Sequence, residues 1–537
     1  MREGVRWRVV PARPARLAKN TALLPLPLAL VLAAAGCAGS SSAPGAGTSG
    51  QPAASGKAGA LLTIGQSIGA TTLDPAKTVQ ADAYFEQLAY EPLIVRDSDG
   101  ALAPGLATSW SFTGQGNKTF VMNLRSGVKF SDGSTLTAQN VVDDFTYLEK
   151  ADGQMAPNFA GDVFAATGPL RVTVTLKTPD PDLPTELTQD DNAGAIISEP
   201  GLKSPAQLGT HTLGAGPYKI DPGQTVSGDH YTYVPNPYYY DKAAVHWKKV
   251  VIKVIADASS MLSALKTGQV NMAQGDPSTL AAAKAAGLTV TSTPLLWVGI
   301  TLADRGGKVA RPLADVRVRQ ALNYATDRTG IINALFPGNG SPTDQVTVPG
   351  GYGYQASLDS AYPFDLAKAK SLLAAAGYPH GFTIGMVSGD FGGQNLLAQA
   401  LQQQWAKAGI TVKITDIANT SQFFTASFSG KYATFTTVYG QQPIVTEGPG
   451  LFLPTALFNP FHTADSTLQG LYNQDAASSG AAKAALDQRI EAYLVHQAWF
   501  VPVLTQGLPF YATTNITGTN VSPMAPLVEP YQIQPAG

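Results

Sequence analysis

Hydrophobic and polar positions alternate with a period of two in several short stretches and recur at helical spacing in longer ones. Residues 119–124 (Thr-Phe-Val-Met-Asn-Leu) and 171–177 read as half-buried strands. Residues 61–64, 92–95, 250–255 and 410–414 are apolar runs of strand length, and the pairs Asp99-Gly100 and Asp132-Gly133 mark turns between such runs. Helices are predicted at 138–148 behind an N-cap at Thr137, and at 258–266 before Thr267-Gly268. Further helices are predicted at 366–376, closed by Gly377, and at 396–408, closed by Gly409. Over 315–326, Val316, Val318, Ala321, Leu322 and Ala325 share one face. Strands alternating with helices predict α/β lobes, and no short-period repeat points to a solenoid or propeller.

The first thirty-six residues stand apart from this pattern and read as a targeting segment. Arg2, Arg6, Arg8, Arg13, Arg16 and Lys19 precede an apolar run at 22–35 that contains Pro25 and Pro27. A bilayer core needs about 20 apolar residues, so this run is too short and too broken to span. It ends in Ala34-Ala35-Gly36 before Cys37, the only cysteine in the chain. That ending resembles the lipobox of bacterial lipoproteins, with Ala34 in place of the usual leucine, and implies lipidation at Cys37. Residues 38–58 are nearly all Ala, Gly, Ser, Pro and Thr, which suits a tether. The expected location is extracytoplasmic, with the lipid as the only membrane attachment. A single cysteine excludes an internal disulfide framework.

Of 36 basic and 38 acidic residues, the leader holds six and one, so the remainder carries 30 and 37, a net charge near −7. Such a balance argues against a nucleic-acid partner. A body from residue 59 to residue 537 exceeds what one core supports and predicts two or more lobes.

Five segments of the body carry a specific resemblance. The first is Tyr90-Glu91-Pro92-Leu93 with Leu102-Ala103-Pro104-Gly105-Leu106-Ala107, Ser109-Trp110, Gly127-Val128-Lys129-Phe130 and Leu136-Thr137-Ala138. The second is Gly214-Ala215-Gly216-Pro217-Tyr218-Lys219, and the third is Ala264-Leu265-Lys266-Thr267-Gly268. The fourth runs from Pro312 to Leu322 through Arg317-Val318-Arg319-Gln320, and the fifth from Ala367 through Ala376-Gly377-Tyr378 to Phe382. Together they resemble the family 5 extracellular solute-binding proteins of ABC importers, the peptide, nickel and oligopeptide receptor group. The resemblance implies a periplasmic-binding-protein-like fold (type II) with two α/β lobes and an extra inserted domain. Carried onto this chain, the first lobe takes 59–83, 200–305 and 505–537, the insert 84–199, and the second lobe 306–504. The implied activity is capture of an oligopeptide-like or other polar solute and delivery to ABC permease subunits, without catalysis or cofactor, by a monomer.

Peptide-binding relatives place an aspartate shortly after a tryptophan in the second lobe, where it pairs with the ligand's ammonium. Here Tyr439 stands at the tryptophan position and Gln442 at the aspartate position, with Gln441 between them and Glu447 five residues beyond Gln442. An amide and a phenol suit a neutral polar ligand such as a saccharide or a blocked peptide. Alternatively the loop is shifted and Glu447 takes the aspartate's role. By position in the family pattern, Ser67, Thr71, Thr72, Trp297 and Gln506 are further cleft candidates.

Rival readings are few. Gly65-Gln66-Ser67-Ile68-Gly69 matches the nucleophile-elbow pattern of serine hydrolases, which needs a helix directly after the serine, whereas 69–75 reads as loop. No histidine, cysteine or carboxylate group has metal-ligand spacing, and Asp97-Ser98-Asp99-Gly100 lacks the rest of a calcium loop. An envelope signalling lipoprotein is the third class.

Overall fold

The computed structural model describes residues 59–78, 82–97, 100–151, 153–389 and 392–537. The leader, Cys37 and the tether lie outside them, as do Ser98 and Asp99 of the Asp97–Gly100 turn.

Local signals set the element ends. The helix Ala138–Lys150 starts where Thr137 Oγ1 accepts a 3.1 Å hydrogen bond from Asn140 N. The helix Ala258–Lys266 is capped by Asp257, which accepts from Ser260 N at 2.7 Å. It ends before Gly268, whose φ of 72° is the left-handed value that favours glycine at this position.

Three larger sheets organise the chain. In a seven-stranded sheet, Leu62–Gln66 lies parallel to Val250–Val254 and to Met272–Gln274. All five of its residues are buried, as expected of an interior strand. In a six-stranded sheet, Pro294–Leu302 sits between two antiparallel neighbours, Thr434–Gly440 and Phe500–Gly507. The helix Gln394–Ala406 packs Leu397, Leu401 and the fully buried Trp405 into a core shared with Ile384, Met386 and Ile410. A four-stranded antiparallel sheet runs Ala107–Thr113, Thr119–Leu124, Arg171–Thr175, Val163–Gly168. Its core gathers Phe120, Val172 and Val174 with Phe145 of the Ala138–Lys150 helix.

The chain passes between the two largest sheets twice. Thr289–Thr291 belongs to the seven-stranded sheet and Pro294–Leu302 to the six-stranded one. On the return, Phe500–Gly507 belongs to the six-stranded sheet and Phe510–Ala512 to the seven-stranded one. The crossings therefore fall at 292–293 and 508–509, whereas the motif-based division drew them at 305/306 and 504/505. They are neighbours in space, since Pro294 pairs with Gly507. A Cβ on Gly507 would stand 2.2 Å from the Thr293 carbonyl oxygen, so the close approach of the two crossings requires glycine there.

Candidate functional site

Two of the sequence candidates are register partners. Trp297 and Tyr439 face each other on adjacent antiparallel strands and join one apolar cluster. Trp297 is fully buried, packs edge-on against Phe500 at 5.5 Å between ring centroids, and its indole N–H has no acceptor among the described residues. Tyr439 packs edge-on against Phe458 at 5.2 Å. Burial, and secondarily the Glu447 carboxyl, push its phenol well above the usual range, so it stays a neutral hydrogen-bonding group.

Past the end of the Tyr439 strand the chain turns into a short helix, Ile444–Glu447. Gln441 Oε1 accepts from Val348 N at 2.9 Å, and its amide donates to the Gln442 carbonyl at 2.9 Å. Its side chain is thus committed to holding this loop against the 346–351 segment. Gln442 is half-buried. Glu447 is fully buried, and no side chain among the described residues donates to its carboxylate oxygens. Burial raises its carboxyl well above the usual range; the nearby Glu491 and Asp487 carboxyls add to the rise, while the Gln442 backbone N–H and Lys483 oppose it.

Gln506 is half-buried and pairs with Leu296 on the other side of the Trp297 strand. The three candidates after the first strand stand elsewhere. Ser67 and Thr71 are exposed and Thr72 is half-buried. Thr71 donates to Asp82 through its backbone N–H at 2.9 Å and through its hydroxyl, and Thr72 Oγ1 accepts from Asp74 N at 3.2 Å. Among the described residues between Ser67 and Ala83 no helix directly follows the serine, so the strand–turn–helix of a nucleophile elbow is not formed. Among the described residues, no group of three or more histidines, cysteines or carboxylates could hold a metal ion, and no helix is long and apolar enough to cross a membrane.

Behind Glu447 lies a charged cluster that the sequence reading missed. Lys483, Asp487 and Glu491 recur every four residues along the helix Gly480–His496, and all three are buried. Lys483 Nζ donates to Asp487 at 3.0 Å and forms ion pairs with Asp182 at 3.4 Å and Asp475 at 3.6 Å. Asp475 ends the helix Ser466–Ala476 region of the same lobe, whereas Asp182 comes from the segment following the four-stranded sheet. The cluster therefore spans a seam between two parts of the molecule. Asn117 crosses the same seam, its amide donating to the Ser478 carbonyl at 2.9 Å. The i, i+4, i+8 spacing was visible in the sequence. It carried no signal because a charged stripe of that spacing ordinarily faces water.

The family model for bacterial extracellular solute-binding proteins, family 5 Middle, matches residues 101–451. The glutathione-binding protein GsiB of Salmonella paratyphi A is 28% identical over 357 residues, covering 64% of this chain and 67% of that protein. The probable D,D-dipeptide-binding periplasmic protein DdpA of Escherichia coli K12 is 28% identical over 374 residues, covering 67% and 70%. The structure of HbpA2 from Haemophilus parasuis superposes with a TM-score of 0.78 at 22% identity, covering 89% of this chain and all of that one. The periplasmic-binding-protein fold expected from the motifs is thus the fold observed. With the family model spanning well over half of its length, this chain belongs to the bacterial extracellular solute-binding proteins, family 5.

Proposed function

We propose that this protein is the substrate-binding component of an ABC importer, and that it captures a small peptide or peptide-like solute bearing a free amine. One observation carries the reading of the ligand. Glu447 is a fully buried carboxyl on the loop that follows Tyr439, with no side-chain hydrogen-bond donor among the described residues. A buried carboxylate is costly unless a cation meets it, and a ligand ammonium is such a cation. This favours the shifted-loop alternative over a neutral ligand selected by Gln442. That two similar proteins are named for glutathione and D,D-dipeptide binding agrees with a peptide-like solute. Closure would rotate the two large sheets about the crossings at 292–293 and 508–509, with the closed form favoured when ligand bridges the cleft. Cys37 would hold the receptor by lipid at the outer face of the membrane, close to a permease.

Isothermal titration with trialanine and with N-acetyl-trialanine tests the ligand reading. The free peptide binds and the blocked one binds at least about a hundredfold more weakly, as expected when a buried charge loses its partner. Equal affinity for the two peptides overturns it and restores the neutral-ligand alternative. Anchoring is read separately. Cys37→Ser moves the protein from the membrane to the soluble fraction, and retention in the membrane refutes the lipid.

A further inference from the structure

Resting on the reading of Glu447 as an ammonium partner, we infer that the ligand carries at least one cationic group beyond its amino terminus, selected by the acidic stripe on the Gly480–His496 helix. Within the second lobe, Glu447, Asp475 and Asp487 lie near one ammonium, Lys483, and Glu491 stands near Glu447. Asp182 joins Lys483 across the seam and also lies near Arg96. Each of these residues is less than 9% exposed.

Hydrogen bonding leaves the cluster short of donors. Lys483 donates to Asp487 and stands near Asp182 and Asp475, and Glu491 accepts from Val346 N at 2.8 Å. No side chain among the described residues donates to either oxygen of Glu447, which has only the Gln442 backbone N–H beside it, and Asp475 meets a second carboxyl, Asp487, as well as Lys483. Five carboxyls against the Lys483 ammonium, with the Arg96 guanidinium near Asp182, leave more acceptor groups than cations in a region of low dielectric. One ligand ammonium at Glu447 answers only one of them. A second cation brought in by the ligand would be drawn to the remainder, because opposite charges attract strongly where water is excluded.

Access follows from the seam. Asp182 and Asn117 meet the Lys483 region from a different part of the molecule, so separation of the two parts would uncover the Lys483 end of the stripe and docking would bury it again. A ligand bound there would be enclosed by carboxyls from both sides. The same surplus disfavours an acidic ligand, since like charges repel strongly in a buried site. The expected ligand class is a basic peptide rather than an anionic one such as glutathione.

The test is calorimetric titration of the protein with trilysine, trialanine, glutathione and spermidine, repeated on Asp475→Asn and Glu491→Gln. Trilysine binds at least about tenfold more tightly than trialanine, and glutathione binds more weakly than either. Each isosteric variant reduces the trilysine-to-trialanine ratio to about threefold or less. Equal affinity for trilysine and trialanine, or tightest binding of glutathione, overturns the basic preference while leaving the peptide reading intact. Spermidine bound tightly with all peptides ignored supports the preference for cations and overturns the peptide reading. No binding by any of the four to folded protein overturns both. If either variant unfolds, the unaltered protein's four affinities still decide the matter.

Discussion

Glu447 and Trp297 are both fully buried, for different reasons, and substitution separates them. Glu447→Gln removes an ionisable group that burial already biases toward its neutral form, so stability of the ligand-free protein changes little, whereas affinity for a free-amine peptide drops by about a hundredfold. Denaturation and titration on the same sample report the two effects independently. Trp297 is apolar packing against Phe500 at the heart of the six-stranded sheet. Trp297→Ala therefore costs about 3–5 kcal/mol, read from denaturant unfolding. Of the residues singled out by position, Tyr439, Gln441 and Glu447 were legible as one loop because they are close in sequence. Their burial was not, because it depends on Phe458, Val348 and Glu491, which come from distant segments.

The Gly480–His496 helix illustrates how one element can mislead. Its Lys483, Asp487 and Glu491 look like a solvated salt-bridge face, yet Leu486, Ile490 and Leu494 are buried as well. Both stripes point inward because the helix is covered on more than one side. Lys483 is then the cation that Asp182, Asp475 and Asp487 share. Burial alone would lower its pKa, but Asp182, Asp487 and Asp475 outweigh this and raise it, so it remains charged. Lys483→Met leaves those carboxyls uncompensated and destabilises the protein by about 3–5 kcal/mol in chemical unfolding. Adding Asp487→Asn to that variant recovers part of the loss, since it removes one of the stranded charges. At the crossings, Gly507→Ala forces a Cβ against the Thr293 carbonyl. A loss of about 1–3 kcal/mol is expected, together with a smaller ligand-induced decrease in radius of gyration by X-ray scattering.

The buried carboxyls also set how the whole molecule responds to pH. Burial pushes Glu491 from 4.5 up to about 7, a rise opposed by the Val346 and Thr347 amides and increased by Asp359. Asp475 rises from 3.8 to about 7, by burial first, with Lys483 opposing and Asp487 and Asp182 adding to it. A carboxyl whose folded pKa exceeds its unfolded value binds more protons in the folded state. The stability it confers is complete below the unfolded value and is lost as pH rises through the folded one. The ligand-free protein should thus melt at a higher temperature at pH 5 than at pH 8, by about 2–5 °C. Glu491→Gln should flatten that slope, as measured by calorimetry across the range. A ligand supplying cations should flatten it too.

Much of the architecture could be read along the chain, because it rests on local physics. Thr137 and Asp257 cap the helices they precede, Gly268 and Gly377 end others through left-handed backbone, and alternation marks 119–124 as a strand. The family motifs lie in the same class, being turns and packing positions a few residues long. The pairing of Pro294–Leu302 with Phe500–Gly507 brings together residues about two hundred positions apart, and no local preference specifies it. Nor does any local preference turn the Lys483 stripe inward or bring Asp182 to meet it. Sequence alone determined the family, through its motifs, and the element types, because those follow from short-range sterics and periodicity. Only the tertiary structure decided which charges are removed from water together, because burial is a property of the packed whole.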